Sequence, residues 1–215
     1  LFSCHSKVIV GLIQYRHGIV MVGGKAMTIT ADKSIDCLGL SCPMPIVRTK
    51  QALDELQPGQ VLEIRATDPG SLADLKGWAQ STGHEYLGTL EKEGMFIHYV
   101  RKANPKEVKP ELKYPDTVTN EQLEIRLGRE GITIVDVREP AEYAFGHIPG
   151  AISIPLGQLK DRMDELNPEE EIYVICRTGN RSDMACKLLS EKGFKRVINV
   201  LPGMTKWVGP LEKTK

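Results

Sequence analysis

The chain has 215 residues, 41% hydrophobic and 26% charged, an ordinary soluble globular balance with room for one medium domain or two small ones. Its 28 Lys and Arg equal its 28 Asp and Glu, so no net field favours nucleic acid or anionic lipid, and no dense basic block suggests a local patch. Five cysteines (Cys4, Cys37, Cys42, Cys176 and Cys186) form no disulfide-scaffold spacing, no C-x-x-C pair and no zinc spacing with the five histidines, which predicts reduced thiols and neither metal nor cofactor.

In chain order, residues 1–27 come first as an extension. Its short apolar pieces, Val8 to Ile13 and Gly18 to Gly23, are split by Gln14, Tyr15, Arg16 and His17 and lead to no small-x-small cleavage site. No stretch of the sequence reaches the ~20 apolar residues of a membrane span, and a cytoplasmic protein is expected. Gly23-Gly24-Lys25-Ala26-Met27 can be encoded by GGA-GGT-AAA-GCA-ATG, a ribosome-binding site followed by a start codon. The native chain is therefore expected to begin at Met27, with residues 1–26 untranslated; the alternative is a true N-terminal arm. Cys4 and His5 receive no functional weight.

Residues 28–102 read as a first domain. Thr28 to Ile35 predicts a strand, Pro43 to Leu56 a helix with Ile46, Val47, Leu53 and Leu56 at helical spacing, and Val61 to Ala66 a strand. Asp68-Pro69-Gly70-Ser71 starts a second helix, Leu72 to Gln80. Strands at 85–91 and 95–101 then turn at Glu93-Gly94. The sum is an α+β two-layer β-α-β-α-β-β domain, with two helices on one face of four strands. Pro43 suits a helix's first turn, which sets Cys42 at the helix N-terminus, where free N–H groups favour a thiolate. Asp36-Cys37-Leu38-Gly39-Leu40-Ser41-Cys42-Pro43-Met44-Pro45, with Gly59 and Thr67-Asp68-Pro69-Gly70, resembles the TusA-like (SirA-like) sulfur-carrier family. The resemblance implies that Cys42 accepts sulfur as a persulfide and passes it on. Cys37, five residues earlier, is a candidate resolving thiol for Cys42, or a small side chain at a strand end.

Residues 103–115 hold three prolines and many charges and predict a solvated, semi-stiff linker. Extended at ~3.1 Å per residue, it would let one domain visit the other.

Residues 116–213 read as a second domain. A helix at 119–129, a strand at 131–138, a short helix at 140–145, strands at 151–154 and 171–175, a helix at 181–192 and a strand at 197–200 predict an α/β domain whose parallel sheet is covered on both faces. Cys176 falls where a strand ends and a helix begins, the usual ligand position in such sheets. Arg177, Thr178, Gly179, Asn180 and Arg181 are placed to form an anion-binding nest that lowers the thiol pKa.

The segments 134–139, 146–151, 176–182 and 203–207 are similar, in order, to the rhodanese family. That similarity implies that Cys176 takes sulfane sulfur from a small donor (thiosulfate, polysulfide or a low-molecular-weight persulfide) and gives it to a thiol or a sulfur-acceptor protein. It also implies that Asp136 and Arg138 support the loop, for which an ion pair joining strand and loop is an equal reading. His147 reads as a structural turn residue and Cys186 as packed core. Cysteine phosphatases use Cys-x5-Arg, and the shorter Cys176-x4-Arg181 ring suits sulfur better than a phosphoryl group. The expected activity is a sulfurtransferase relay between Cys176 and Cys42. The alternative is a persulfide- or redox-responsive module without efficient turnover.

Overall fold

The computed structural model describes residues 18–22, 25–107 and 114–214; residues 1–17 of the expected extension and 108–113 of the expected linker lie outside the described residues. Strands β1 (Gly18–Val22) and β2 (Lys25–Ile29) pair as an antiparallel hairpin. The strand expected from Thr28 is in fact two: β2 ends at Ile29, and β3 (Lys33–Cys37) opens the next sheet after a break in which Asp32 Oδ2 accepts the Val61 N–H at 2.7 Å.

The first domain follows the expected order: β3, α1 (Met44–Glu55), β4 (Val61–Ala66), α2 (Ser71–Ser81), β5 (Glu85–Lys92) and β6 (Met95–Arg101). The sheet order is β3-β4-β6-β5, parallel only between β3 and β4. Side-chain alternation gives each face its own contents. Leu62, Ile64 and Val100 pack with Cys37, Leu53 and Leu75 beneath the helices. Val61, Ile97 and Tyr99 point the other way, and that face is not left to solvent.

In the second domain, β7 (Thr117–Thr119), α3 (Asn120–Glu124), β8 (Ile132–Asp136), α4 (Pro140–Phe145), β9 (Ile152–Ser153), α5 (Leu159–Arg162), β10 (Glu171–Ile175), α6 (Asn180–Glu191) and β11 (Val197–Leu201) build an all-parallel sheet of order β7-β11-β10-β8-β9. One apolar cluster lies on each face. The helix expected over 119–129 is shorter. The Thr119–Gln122 capping box starts it, but the chain leaves α geometry after Glu124. Among the described residues no helix is long and apolar enough to cross a membrane.

The two domains are packed together. Ala141 and Ala144 of α4 lie against Ile29, Val61, Ile97 and Tyr99, with Phe145 beside them. The Phe145 ring sits 5.7 Å from that of Tyr99 and directly over Gly88, where a Cβ would overlap it. The linker is also less free than its composition suggests. A 3-10 turn at Pro105–Glu107 folds back so that Glu107 grips Arg101 in two hydrogen bonds. Tyr114 is fixed on α6 through Asp183 and Ser190.

Gly88→Ala is expected to weaken this docking by about 1–3 kcal/mol, the usual cost of overpacking. Amide exchange should accelerate in α4 and β5 while α1 and α6 stay protected.

Candidate functional site

Cys176 directly follows β10, the central strand of the parallel sheet, and its side chain is buried. The chain turns through Gly179, at φ +91°, into α6. Two donors then reach the sulfur: the Gly179 N–H at 3.1 Å and the Ser182 hydroxyl at 3.4 Å. Both favour negative charge on sulfur, as does the N-terminus of the helix. The loop is tied from below. The Cys176 carbonyl accepts the Met204 N–H, and the Arg177 carbonyl accepts the Thr205 N–H and hydroxyl. Gly203 stands so close beneath the loop that a Cβ there would collide with the carbonyls of Cys176 and Arg177.

The arginines expected in the cradle are engaged elsewhere. Arg181 is buried and makes a two-pronged ion pair with Glu142 of α4, at 2.7 and 2.8 Å. Arg177 reaches across to the first domain and pairs with Glu85 at 2.9 Å. The sulfur is therefore met by a backbone N–H and a hydroxyl rather than by a free guanidinium. Asp136 and Arg138 form a closed ion pair at 2.6 Å, and Arg138 also donates to the Gly146 carbonyl. That geometry is the strand-to-loop tie, with no contact to the sulfur. His147 stacks on Tyr143 with ring centroids 3.7 Å apart, and Cys186 is buried in the core.

Sequence reasoning missed Glu142, Arg101, Glu85 and Glu107. Arg101 ends β6 and is buried among Glu107 (2.6 Å), Glu85 (3.6 Å), Glu142 (3.8 Å) and Glu139 (3.9 Å). Burial alone would raise the Glu142 pKa, but the Arg181 hydrogen bonds and the charges of Arg181, Arg101 and Arg138 pull it down to about 2. Glu85 goes the other way, pushed up to about 7 by burial and by Glu142 against the pull of three arginines. No motif could announce this cluster, because its members come from both domains.

Cys42 is exposed in the loop before α1. The TusA-like motif builds that loop: Leu38 N–H donates to Asp36, Gly39 N–H to Thr67 and Cys42 N–H to Asp68 Oδ2. Arg48, near Cys42 in sequence, donates to the Asp36 carbonyl instead of approaching the sulfur. The expectation of a favoured thiolate is reversed. The hydrogen bond to Asp74, together with partial desolvation and the charges of Asp74 and Asp68, raises the Cys42 pKa. A helix N-terminus attracts anions, but two carboxylates beside the thiol outweigh it. Cys37 is fully buried beneath the helices, and burial raises its pKa, so it does not offer the accessible thiol a resolving cysteine needs.

Cys42 and Cys176 are not brought together. The loop carrying Cys42 leaves the end of the sheet where Cys37, Ala66 and Phe96 are in register. The Cys176 loop faces the opposite end, where Val61, Arg101 and Glu85 are in register and Glu85 holds Arg177. Five residue steps of β4 separate those ends, about 16 Å at roughly 3.3 Å per residue.

Residues 33–102 match the family model described as sulfurtransferase TusA, and residues 119–209 match the rhodanese-like domain. A Bacillus subtilis protein named putative sulfur carrier protein YrkF is 48% identical over 179 residues, which cover 83% of this chain and 96% of that one. The sulfur carrier protein TusA of Allochromatium vinosum is 42% identical over 72 residues, 34% of this chain and 95% of its own. A sulfurtransferase of the same organism is 37% identical over 91 residues, 42% of this chain and 85% of its own.

Glu142→Gln leaves Arg181 and Arg101 short of a buried counter-charge and is expected to destabilise the protein by about 3–5 kcal/mol in denaturant unfolding. Asp74→Asn removes the carboxylate that holds the Cys42 thiol protonated. The pH midpoint for alkylation of Cys42, mapped by peptide mass, should move down.

Proposed function

The chain belongs to the family that joins a TusA-type sulfur-carrier domain to a rhodanese-like domain, and on that premise we propose that it transfers sulfane sulfur as cysteine persulfides on Cys176 and Cys42. The observation that carries this reading is the buried Cys176 sulfur at the strand-to-helix turn, with the Gly179 N–H and the Ser182 hydroxyl directed at it. Such donors stabilise a thiolate and, after transfer, the anionic end of a persulfide.

The Cys176 thiolate attacks the sulfane sulfur of a small donor. The bond from that sulfur to the rest of the donor breaks, and the leaving group departs with the electron pair as sulfite or a thiolate. The outgoing thiol is Cys42 or one on an acceptor protein. Because the loops of Cys42 and Cys176 lie toward opposite ends of the first domain's sheet, exchange between them proceeds after the domains part or with a second molecule. An exposed Cys42 kept protonated by Asp74 and Asp68 suits handover to a partner that brings its own positive charge. Reducing cytoplasm suits a carrier whose working thiols are free. Asp136 and Arg138 hold the end of β8 beside the loop, and Arg181 holds α6 through Glu142; these are positioning residues.

Intact mass after exposure to thiosulfate or polysulfide tests the order of loading. Cys42→Ser should gain one sulfur, about 32 Da, on Cys176. Cys176→Ser should leave Cys42 unloaded. Equal loading of Cys42 without Cys176 would refute the relay and leave two independent carriers.

A further inference from the structure

His98 lies on β6 and is fully buried. By strand alternation it shares the helix-covered face of the first sheet with Val100. It takes no part in the transfer chemistry, yet both ring nitrogens are engaged. Nε2 stands 2.9 Å from the Ser71 hydroxyl at the start of α2. Nδ1 stands 2.8 Å from the Tyr86 hydroxyl and 2.9 Å from that of Thr89, and those two hydroxyls also touch each other.

The direction of these bonds follows from the donor and acceptor inventory. Ser71 Oγ is 2.6 Å from the Asp68 carbonyl oxygen, which can only accept, so the Ser71 proton lies on that line. The contact with His98 then requires the ring proton on Nε2. Nδ1 keeps its lone pair for a hydroxyl, because a second ring proton would make a buried cation, and burial pushes the ring pKa down to about 4. Donation therefore runs one way: hydroxyl to imidazole, imidazole to Ser71, Ser71 to the Asp68 carbonyl. The chain ends on the turn that meets Cys42. One Asp68 carboxylate oxygen accepts the Gly70 N–H at 3.0 Å and the other the Cys42 N–H at 3.3 Å. The Asp74 N–H donates to the Gly70 carbonyl at 3.1 Å in the first turn of α2. Both carboxylates that act on the Cys42 thiol thus stand on the segment that Ser71 anchors.

We propose that His98 is a positioning residue for Cys42: through Ser71 it ties the Asp68–Gly70 turn to the core and so holds Asp68 and Asp74 beside the carrier thiol. The inference rests on the reading of Cys42 as a carrier and adds what sets the reactivity of that thiol. Cys42 itself is exposed, and an exposed loop does not hold two carboxylates in place unaided. A satisfied polar chain in a closed core does so with a unique geometry. Without the tie the turn drifts, the carboxylates withdraw, and the N-terminus of α1 is left to favour the thiolate.

The test reads the pH midpoint for alkylation of Cys42 in the full chain by peptide mass. Ser71→Ala and His98→Asn, which retains at most the contacts of Nδ1, should lower it by about half a pH unit, roughly threefold in rate at a fixed pH below the midpoint. His98→Gln, whose amide N–H can replace Nε2–H, should restore it. On an Asp74→Asn background the Ser71→Ala shift should largely vanish, a coupling that general damage to the fold would not give. Nitrogen NMR of labelled histidine in wild type should find the His98 proton on Nε2 and a bare Nδ1 at neutral pH. A proton on Nδ1, a midpoint unmoved in both Ser71→Ala and His98→Asn, or a shift that persists in full without Asp74 overturns the positioning role. A wild type that never carries sulfur on Cys42 overturns the carrier reading instead and leaves these midpoints standing.

Discussion

The buried pair of Arg181 and Glu142 is the interaction on which the rest of the arrangement hangs. Arg181 opens the helix that begins beneath Cys176, and Glu142 lies on the short helix that docks against the first domain. One two-pronged contact therefore fixes the sulfur-bearing loop relative to α4. The Glu142 carboxylate also faces Arg101 of the neighbouring domain at 3.8 Å. Arg101 is held in turn by Glu107, so the start of the linker is folded against the same cluster. Removing either member of the central pair would leave an uncompensated charge in a region closed to water, which is far costlier than losing an exposed pair. The loop and the ionic part of the domain contact thus share Glu142.

The two cysteines sit in opposite electrical settings. Cys176 receives a backbone N–H and a hydroxyl, while Arg177 and Arg181 pair with Glu85 and Glu142. Cys42 is exposed, with Asp74 and Asp68 beside it and the apolar Leu38, Met44 and Val47 also on the surface nearby in sequence. A thiol held protonated does not attack by itself. A site that accepts sulfur from small donors is served by hydrogen-bond donors fixed around its sulfur. A site that passes sulfur to proteins gains from staying inert until a partner supplies positive charge.

Much of this was legible from residues alone. The strand-helix order of the first domain followed from apolar periodicity and from the glycine and proline stops, and the placement of Cys176 after a buried strand followed from Ile172–Ile175 and the turn at Gly179. What failed depended on long-range packing. Cys42 was expected to be activated because only its own helix was visible in the sequence; Asp74 lies a helix away and its effect is spatial. The loop of Arg177 to Arg181 was expected as an anion-binding nest, but that Glu85 and Glu142 claim its two guanidiniums was not legible, because those carboxylates are distant in sequence. One clue to the docked face was present. In β4, Val61, Leu62 and Ile64 carry apolar side chains to both sides, which a sheet with helices on one face alone does not require.

The character of the interface bears on how two cysteines on separate domains, their loops toward opposite ends of one sheet, can serve one transfer. It has an apolar part, in which Ala141, Ala144 and Phe145 meet Ile29, Val61, Ile97 and Tyr99, and an ionic part around Arg101 and Arg177. Desolvating charges is costly, and their mutual attraction only partly recovers that cost. When the domains separate, Arg101, Arg177, Glu85 and Glu139 regain water, whereas a wholly apolar contact of the same extent would regain nothing. Raising the pH works in the same direction through Glu85. A carboxyl pushed up to about 7 in the folded protein from about 4.5 contributes its stability fully below the lower value and loses it as pH rises through the upper one. Near neutrality the contact is therefore ordered, while its ionic part lowers the cost of opening it.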